Sequence, residues 1–438
     1  MGIPTPKNVS RDTDSQVVHA NPLAKAGRWL RADDLMRHAT KLGAGTAASL
    51  AITLVAMPIL TRIYGPEAFG LYGVFSALLT LAALVSTGRY EQAIALPAAE
   101  HDAVTLVCLC QRLVFGASCL ACLTLPFRHI VADLLGEPAI AQWWWALPPA
   151  MWLAGQIQVT TAWAARTANY GRVAGARLAL TIATVALQFG LMALGEFALL
   201  AALLAGLLAQ YFWLRRVEGA VEIGSWSEMS LRATEYRRFP LYILPASLID
   251  TLTFQLPLLL GGTWFGIGFA GMYSLATRIV GLPSTLVGNA FAQVFYQEFS
   301  RRNQSENGAR DFLFRTWLRL AAIGAIPMLL VAYFGESIFL HVLGVEWVEA
   351  ATIAVILTPM FFAMFISSPT SGALLVLRGE HLSPAFSLSF LSYRIAGFWL
   401  GARLDNAALG LGMIAMAEIA TILIYNFLIL RRLRPKLA

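Results

Sequence analysis

Apolar residues run along this chain in long blocks, broken by short polar segments rich in Gly, Pro and charge. A helix of ~20 mostly apolar residues is long enough to cross a bilayer. Twelve such spans are predicted, at residues 39–60, 69–97, 104–126, 139–163, 174–194, 196–214, 240–262, 268–292, 313–334, 348–370, 385–402 and 407–430. The pattern divides the chain into an N-terminal arm (1–38), an N-lobe of six spans (39–214), a basic linker (215–239), a C-lobe of six spans (240–430) and a basic tail (431–438). The expected fold class is an all-α polytopic membrane protein of about twelve transmembrane helices. The arm is polar and basic, with no apolar core of signal-peptide length, and reads as a disordered cytosolic tail.

Composition agrees with this reading. Of 438 residues, 58% are hydrophobic and 13% charged, about half the charge of a soluble domain. Placing both termini in the cytosol puts 25 of the 32 Lys and Arg residues on that side, and only Arg62, Arg128 and Arg403 on the other. Cytoplasmic excess of Lys and Arg is the topology rule. The net charge of +7 therefore reports orientation and calls for no nucleic-acid partner. All four cysteines (Cys108, Cys110, Cys119, Cys122) fall in one span, where they read as small packing residues and not as a zinc or redox site. No metal, cofactor or disulfide framework is expected.

The two halves resemble each other in order. Met57-Pro58-Ile59-Leu60 returns as Leu256-Pro257-Leu258-Leu259, and Phe69-Gly70-Leu71-Tyr72 as Ala270-Gly271-Met272-Tyr273. Leu135-Gly136 matches Leu343-Gly344, Leu147-Pro148-Pro149 matches Leu357-Thr358-Pro359, and Arg166 matches Arg378. The offsets rise steadily from 199 to 212. Span n matches span n+6, so the two lobes have the same orientation and are related by a parallel repeat.

Four arginines remain inside spans: Arg89, Arg112, Arg278 and Arg394. A charge at mid-membrane costs at least ~2.5–3.5 kcal/mol and calls for a partner or a polar cavity. Asp250 and Arg278 reach similar depth and allow a pair, as do Arg394 and Glu418. Arg89 and Glu91 sit together near the end of the second span, either as a snorkelling pair or as a cation tuned toward a cavity. Each pair reads equally as a structural tie. Trp143, Trp144 and Trp145 are expected to anchor at the interface. Pro58, Pro149, Pro257, Pro283 and Pro359 are expected to kink their spans.

The words T-R-x-Y-G-P-E-x-F-G-x-Y (Thr61 to Tyr72) and G-R-Y-E-x-A-I-x-L-P (Gly88 to Pro97) closely resemble bacterial polysaccharide-biosynthesis membrane proteins. These are the O-antigen and capsule repeat-unit flippases of the multidrug/oligosaccharidyl-lipid/polysaccharide exporter superfamily. Gly271 to Ile279 (GMYSLATRI) is similar to the family as well. The resemblance implies two six-helix lobes around a central cavity. It also implies movement of an undecaprenyl-diphosphate-linked oligosaccharide across the bacterial inner membrane, with membrane lipid and other polysaccharide assembly proteins as partners. Arg89, Arg112, Arg278 and Arg394 are the candidate contacts for diphosphate or glycan, and Arg suits phosphate oxygens. Gln111, Gln156, Gln158, Gln188, Gln255, Asn289 and Gln293 are available to sugars. Glu91, Asp250 and Glu418 are candidates for ion coupling or pairing.

Two rivals stay open. A drug or cation exporter of the same superfamily needs an acidic cavity, whereas here intramembrane Arg at least equal the acids. A membrane enzyme, a polymerase or acyltransferase, needs a large outer loop or a His/acid cluster. The six histidines are scattered, and no G-x-x-x-x-G-K-[ST] loop is present. The sequence therefore points to a transporter and not an enzyme.

Overall fold

The computed structural model describes residues 32–216, 225–304 and 308–433, with the side chains of 32–42 and a few others left out. The arm before Ala32, the centre of the linker and the last residues of the tail lie outside the described residues. Among those described there are helices and no strands. In chain order the long helices are α1 (Ala32–Ile63), α2 (Pro66–Ser86), α3 (Glu100–Cys122), α4 (Leu147–Arg166), α5 (Tyr170–Gly190) and α6 (Glu196–Arg215). After the linker helix α7 (Trp226–Glu235) come α8 (Leu244–Phe265), α9 (Ile267–Val280), α10 (Leu282–Gln304), α11 (Ala309–Ile338), α12 (Val348–Ser367), α13 (Ser383–Arg403) and α14 (Ala407–Arg432). Nine helices among the described residues are long and apolar enough to cross a membrane by themselves. The other three expected spans are present as α4, as α9 with α10, and as α13. The protein is an all-α polytopic membrane protein.

Several boundaries differ from the sequence expectation. α1 is already helical at Ala32, the first described residue, ahead of the expected start at residue 39. The second span does not run to residue 97. α2 stops at Ser86, Gly88 and Arg89 both turn left-handed (φ 58° and 63°), and a 3-10 helix covers Tyr90–Ala95. The fourth span is broken too: Ala139–Trp143 and Trp144–Ala146 precede α4. Pro148 and Pro149 sit in α4's first turn, where a missing N–H costs nothing, so Pro149 starts a helix where a kink was expected. Pro283 likewise begins α10, while Pro58, Pro257 and Pro359 lie inside helices.

The tryptophan run is mostly core. Trp143 is fully buried edge-on to Phe75 at 5.8 Å, and Trp144 donates to Thr124 Oγ1 at 2.9 Å. Only Trp145 is exposed. Cys108 and Cys110 are buried, and none of the four cysteines forms a disulfide.

The repeat is written in the backbone. Left-handed residues recur at Gly136 and Gly344, 208 apart, at Ala168 and Arg378, 210 apart, and at Gly195 and Asp405, again 210 apart. Each closes a corresponding loop of the two lobes. The register at the second of these pairs Arg378 with Ala168, two residues from the expected Arg166, because the left-handed position and not the charge is what the loop repeats. The Gly88–Arg89 turn has no such counterpart: the C-lobe equivalent continues helically as α9 and α10.

The lobes meet where α2 crosses α9. A Cβ on Gly70 would stand 1.9 Å from the Ile267 carbonyl oxygen, and one on Gly271 1.9 Å from that of Pro66. Only glycine lets the two backbones come this close. Gly70 and Gly271 are repeat equivalents, so the pseudo-twofold axis passes between them. At this same end, distant from the termini, Thr61 Oγ1 donates to Leu343 O at 3.0 Å, Trp347 Nε1 donates to Thr61 O at 2.9 Å, and Phe69 meets Trp347 edge-on at 5.3 Å.

Candidate functional site

The α2–α9 crossing decides where Arg278 points. Positions 271, 274 and 278 are spaced i, i+3, i+7 and share one helix face. Gly271 touches α2 directly, and Ser274 lies beside Gly73. Arg278, two turns beyond the crossing, therefore leans from the C-lobe toward the N-lobe. It lines a cavity walled by N-lobe side chains, among them Thr53, Tyr72, Thr181, Thr184 and Gln188. Arg278 is exposed and has no ion-pair partner among the described residues. The site is a cation offered to a hydroxyl- and amide-lined space between two lobes.

That placement corrects the Asp250–Arg278 pair. Both residues reach similar depth, but α9 turns Arg278 toward α2, while Asp250 lines a different cavity inside the C-lobe. The C-lobe cavity holds about 350 Å³ between α8, α12, α13 and α14. Its wall carries Asp250, Ser367, Ser368, Ser383, Ser387 and Tyr425 along with Phe254, Phe386 and Phe390.

Arg394 and Glu418 border the same cavity and form a buried ion pair. Arg394 Nη2 reaches Glu418 Oε2 at 2.7 Å and Oε1 at 2.9 Å, and Nε reaches Oε2 at 3.2 Å. Arg394 Nη1 donates to Thr253 O at 2.6 Å, and the guanidinium lies 5.5 Å from the Phe254 ring centroid. Both side chains are almost wholly buried. Each nitrogen of this guanidinium makes at least one of these bonds, so the group ties α8, α13 and α14 together.

Arg89 answers differently. The left-handed pair at Gly88–Arg89 swings its side chain off the end of α2. Nη1 meets Glu91 Oε1 at 3.2 Å, and Nε donates to Ser247 Oγ on α8 at 3.0 Å. Glu91 is buried with Oε2 unpartnered. Arg166 holds the following 3-10 segment in place by donating to Ile94 O at 2.9 Å and Pro97 O at 2.7 Å. A left-handed non-glycine residue carries strain, which tends to persist where structure over-determines it. The charges of this sequence word sit inside an apolar context because the helix has ended and the chain is bridging the two lobes.

Arg112 is placed outside both cavities. Its guanidinium stacks 5.4 Å over Trp226 at the start of α7, on the outer side of α3. Among the polar residues expected to serve sugars, Gln188 lines the Arg278 cavity, whereas Gln156 Nε2 points to the Gln111 carbonyl at 3.4 Å. The side chains of Asn289 and Gln293 lie outside the described residues. Sequence reasoning missed Tyr72, Thr181, Thr184 and the serines of the C-lobe cavity. Thr181, Thr184 and Gln188 do carry a signal, a polar stripe spaced i, i+3, i+7 within an apolar span.

A family model described as "Polysaccharide biosynthesis protein" matches residues 59–352. The succinoglycan biosynthesis transport protein ExoT of Rhizobium meliloti (strain 1021) is 23% identical over 314 residues, 68% of this chain and 60% of that protein. The chain thus spans about three fifths of the length of this curated relative. Among solved structures, the lipid II flippase MurJ in an inward closed conformation superposes with a TM-score of 0.69 at 13% identity, covering 88% of this chain and 86% of that one. An inward-facing multidrug resistance transporter of the MATE family gives 0.67 at 15% identity, covering 89% and 96%. At such identities the structural likeness establishes the fold.

Proposed function

The chain belongs to the polysaccharide biosynthesis protein family, and from that membership we propose that it flips undecaprenyl-diphosphate-linked oligosaccharide repeat units across the bacterial inner membrane by alternating access. Its general role is transport across a membrane in polysaccharide biosynthesis, on the fold of the multidrug/oligosaccharidyl-lipid/polysaccharide exporter superfamily. The substrate class and the orientation, with both termini in the cytoplasm, are the further reading.

The observation that carries this reading is Arg278. A diphosphate needs cations in a low-dielectric space, and an arginine fork meets phosphate oxygens with two parallel donors. Arg278 supplies such a fork from one lobe into a cavity walled by the other. A ligand held there touches both lobes, so its binding and release are linked to their relative motion. Thr53, Tyr72, Thr181 and Gln188 supply hydroxyl and amide partners for the adjoining head group. Arg89, spanning the lobes through Ser247, is the second candidate phosphate contact. Arg394, with its donors engaged by Glu418 and Thr253, is assigned to structure, as is Arg112. The excess of Lys and Arg at the terminus-bearing end supports the orientation.

A multidrug exporter shares the fold, and two of the superposed structures differ in what their names say they move. The cavity beside Arg278 argues against a cationic cargo, since its polar lining contains an arginine and no carboxylate.

Arg278→Ala is expected to lower export of the surface polysaccharide on the order of tenfold to a hundredfold, the loss of a charge-assisted contact, with the protein still present in the membrane. Arg278→Lys is expected to recover part of it, keeping the charge but not the fork. Surface polysaccharide measured against membrane protein level checks this. Full export by both variants removes Arg278 from the mechanism.

A further inference from the structure

The segment that joins the lobes has a second face that transport leaves unused. α7 is fixed to the N-lobe by one side. Met229 is buried, Tyr90 Oη donates to Ala233 O at 3.0 Å, and Arg232 pairs with Asp102 of α3. The opposite side continues through Arg237 and Arg238 into a π-helical turn, Phe239–Ile243, that opens α8. Leu231, Arg237, Arg238, Leu241 and Tyr242 line one cleft there.

Three features of this cleft belong together. Arg237 and Arg238 are both exposed, and neither forms an ion pair with a described residue. Glu235 also lines the cleft, but its carboxylate accepts from Arg232 at 2.5 Å, and among the described residues no carboxylate pairs with the two arginines. The apolar members are unusually open to solvent: Leu241 is 60% exposed, Leu231 63% and Tyr242 72%. Finally, the cleft lies where the apolar span Phe239–Phe265 begins, which is the level of lipid headgroups.

We infer that this cleft is a binding site for an anionic phospholipid headgroup. The adjacent guanidinium groups meet the phosphodiester oxygens, Tyr242 sits at headgroup level, and Leu231 and Leu241 cover the first methylenes of the acyl chains. Its place at the start of a membrane span favours a lipid over a soluble anion or an acidic peptide. Because α7 packs on the N-lobe and α8 belongs to the C-lobe, a lipid held here touches the junction between them.

The test uses the purified full-length protein in nanodiscs containing phosphatidylglycerol and phosphatidylcholine, with protein-bound lipid counted by native mass spectrometry. The wild type is expected to retain phosphatidylglycerol over phosphatidylcholine. Arg237→Gln/Arg238→Gln is expected to lose that preference by on the order of tenfold to thirtyfold, at about fivefold per basic residue near the surface. Arg237→Lys/Arg238→Lys is expected to keep most of it. Arg301→Gln/Arg302→Gln, which removes two charges already bonded to Glu298, is expected to leave it unchanged. Equal losses in the two glutamine variants would show diffuse surface charge and overturn the site. So would unchanged retention in Arg237→Gln/Arg238→Gln, loss in the lysine variant, or displacement of the lipid by inorganic phosphate alone.

Discussion

Replacing Glu418 with alanine is expected to destabilise the protein by about 3–5 kcal/mol, the typical cost of leaving a buried charge without its partner. Arg394 would remain among α8, α13 and α14, still beside the Thr253 carbonyl and the Phe254 ring but without its carboxylate partner. Its side chain is 7% exposed, so little of the charge is open to solvent. The pair ties the consecutive helices α13 and α14 to the distant α8, so the loss is expected to be cooperative across the C-lobe. Thermal unfolding in detergent should fall clearly below wild type for Glu418→Ala and for Arg394→Ala. Arg394→Met/Glu418→Met is expected to regain most of the loss, because an apolar pair of similar volume avoids the desolvation cost altogether. Single variants as stable as the wild type would show that the pair does not hold the lobe together.

The second large effect is expected at the crossing of α2 and α9. A Cβ on Gly70 meets the Ile267 carbonyl oxygen at 1.9 Å, whereas contacts under 3.0 Å force something to shift. The neighbour is backbone, so the helices themselves must part by on the order of 1 Å, at a typical overpacking cost of about 1–3 kcal/mol. Gly271→Ala makes the same demand against Pro66. Because both lie at the end where Thr61, Leu343 and Trp347 also join the lobes, Gly70→Ala/Gly271→Ala is expected to open that end. Thr61→Cys, at a position 2% exposed, reports it in a background with the four native cysteines replaced by serine. Labelling by a membrane-impermeant maleimide is expected to rise on the order of tenfold with the double glycine substitution. Unchanged labelling would mean that the lobes do not close through these glycines.

Much of this architecture could be read from the chain. The spans were visible because a bilayer requires long apolar blocks, and the repeat because equivalent loops need equivalent residues, as at Gly136 and Gly344. Depth along each helix was readable too, from a fixed rise per residue. Azimuth was not. Asp250 and Arg278 reach similar depth, yet they face different cavities. A helix that is apolar on every side gives no moment to show which face looks inward. Asp250 lies on such a helix, α8, whereas for α9 the Gly70–Gly271 contact fixes the angle. The stop at Gly88–Arg89 was hidden for a related reason: apolar residues continue past it to Pro97, and only the left-handed backbone ends the helix. The spacing of Arg394 and Glu418 makes them partners, but the third tie, to the Thr253 carbonyl of α8, is one that no spacing rule predicts.

Transport of a lipid-linked glycan is the central claim, and the leaflet on which that lipid accumulates tests it most directly. Deleting the gene in its native host and analysing lipid-linked sugars, with an impermeant reagent to assign sidedness, gives the answer. An undecaprenyl-diphosphate oligosaccharide accumulating on the cytoplasmic face is the expected result. Accumulation on the outer face, or none at all, would contradict it.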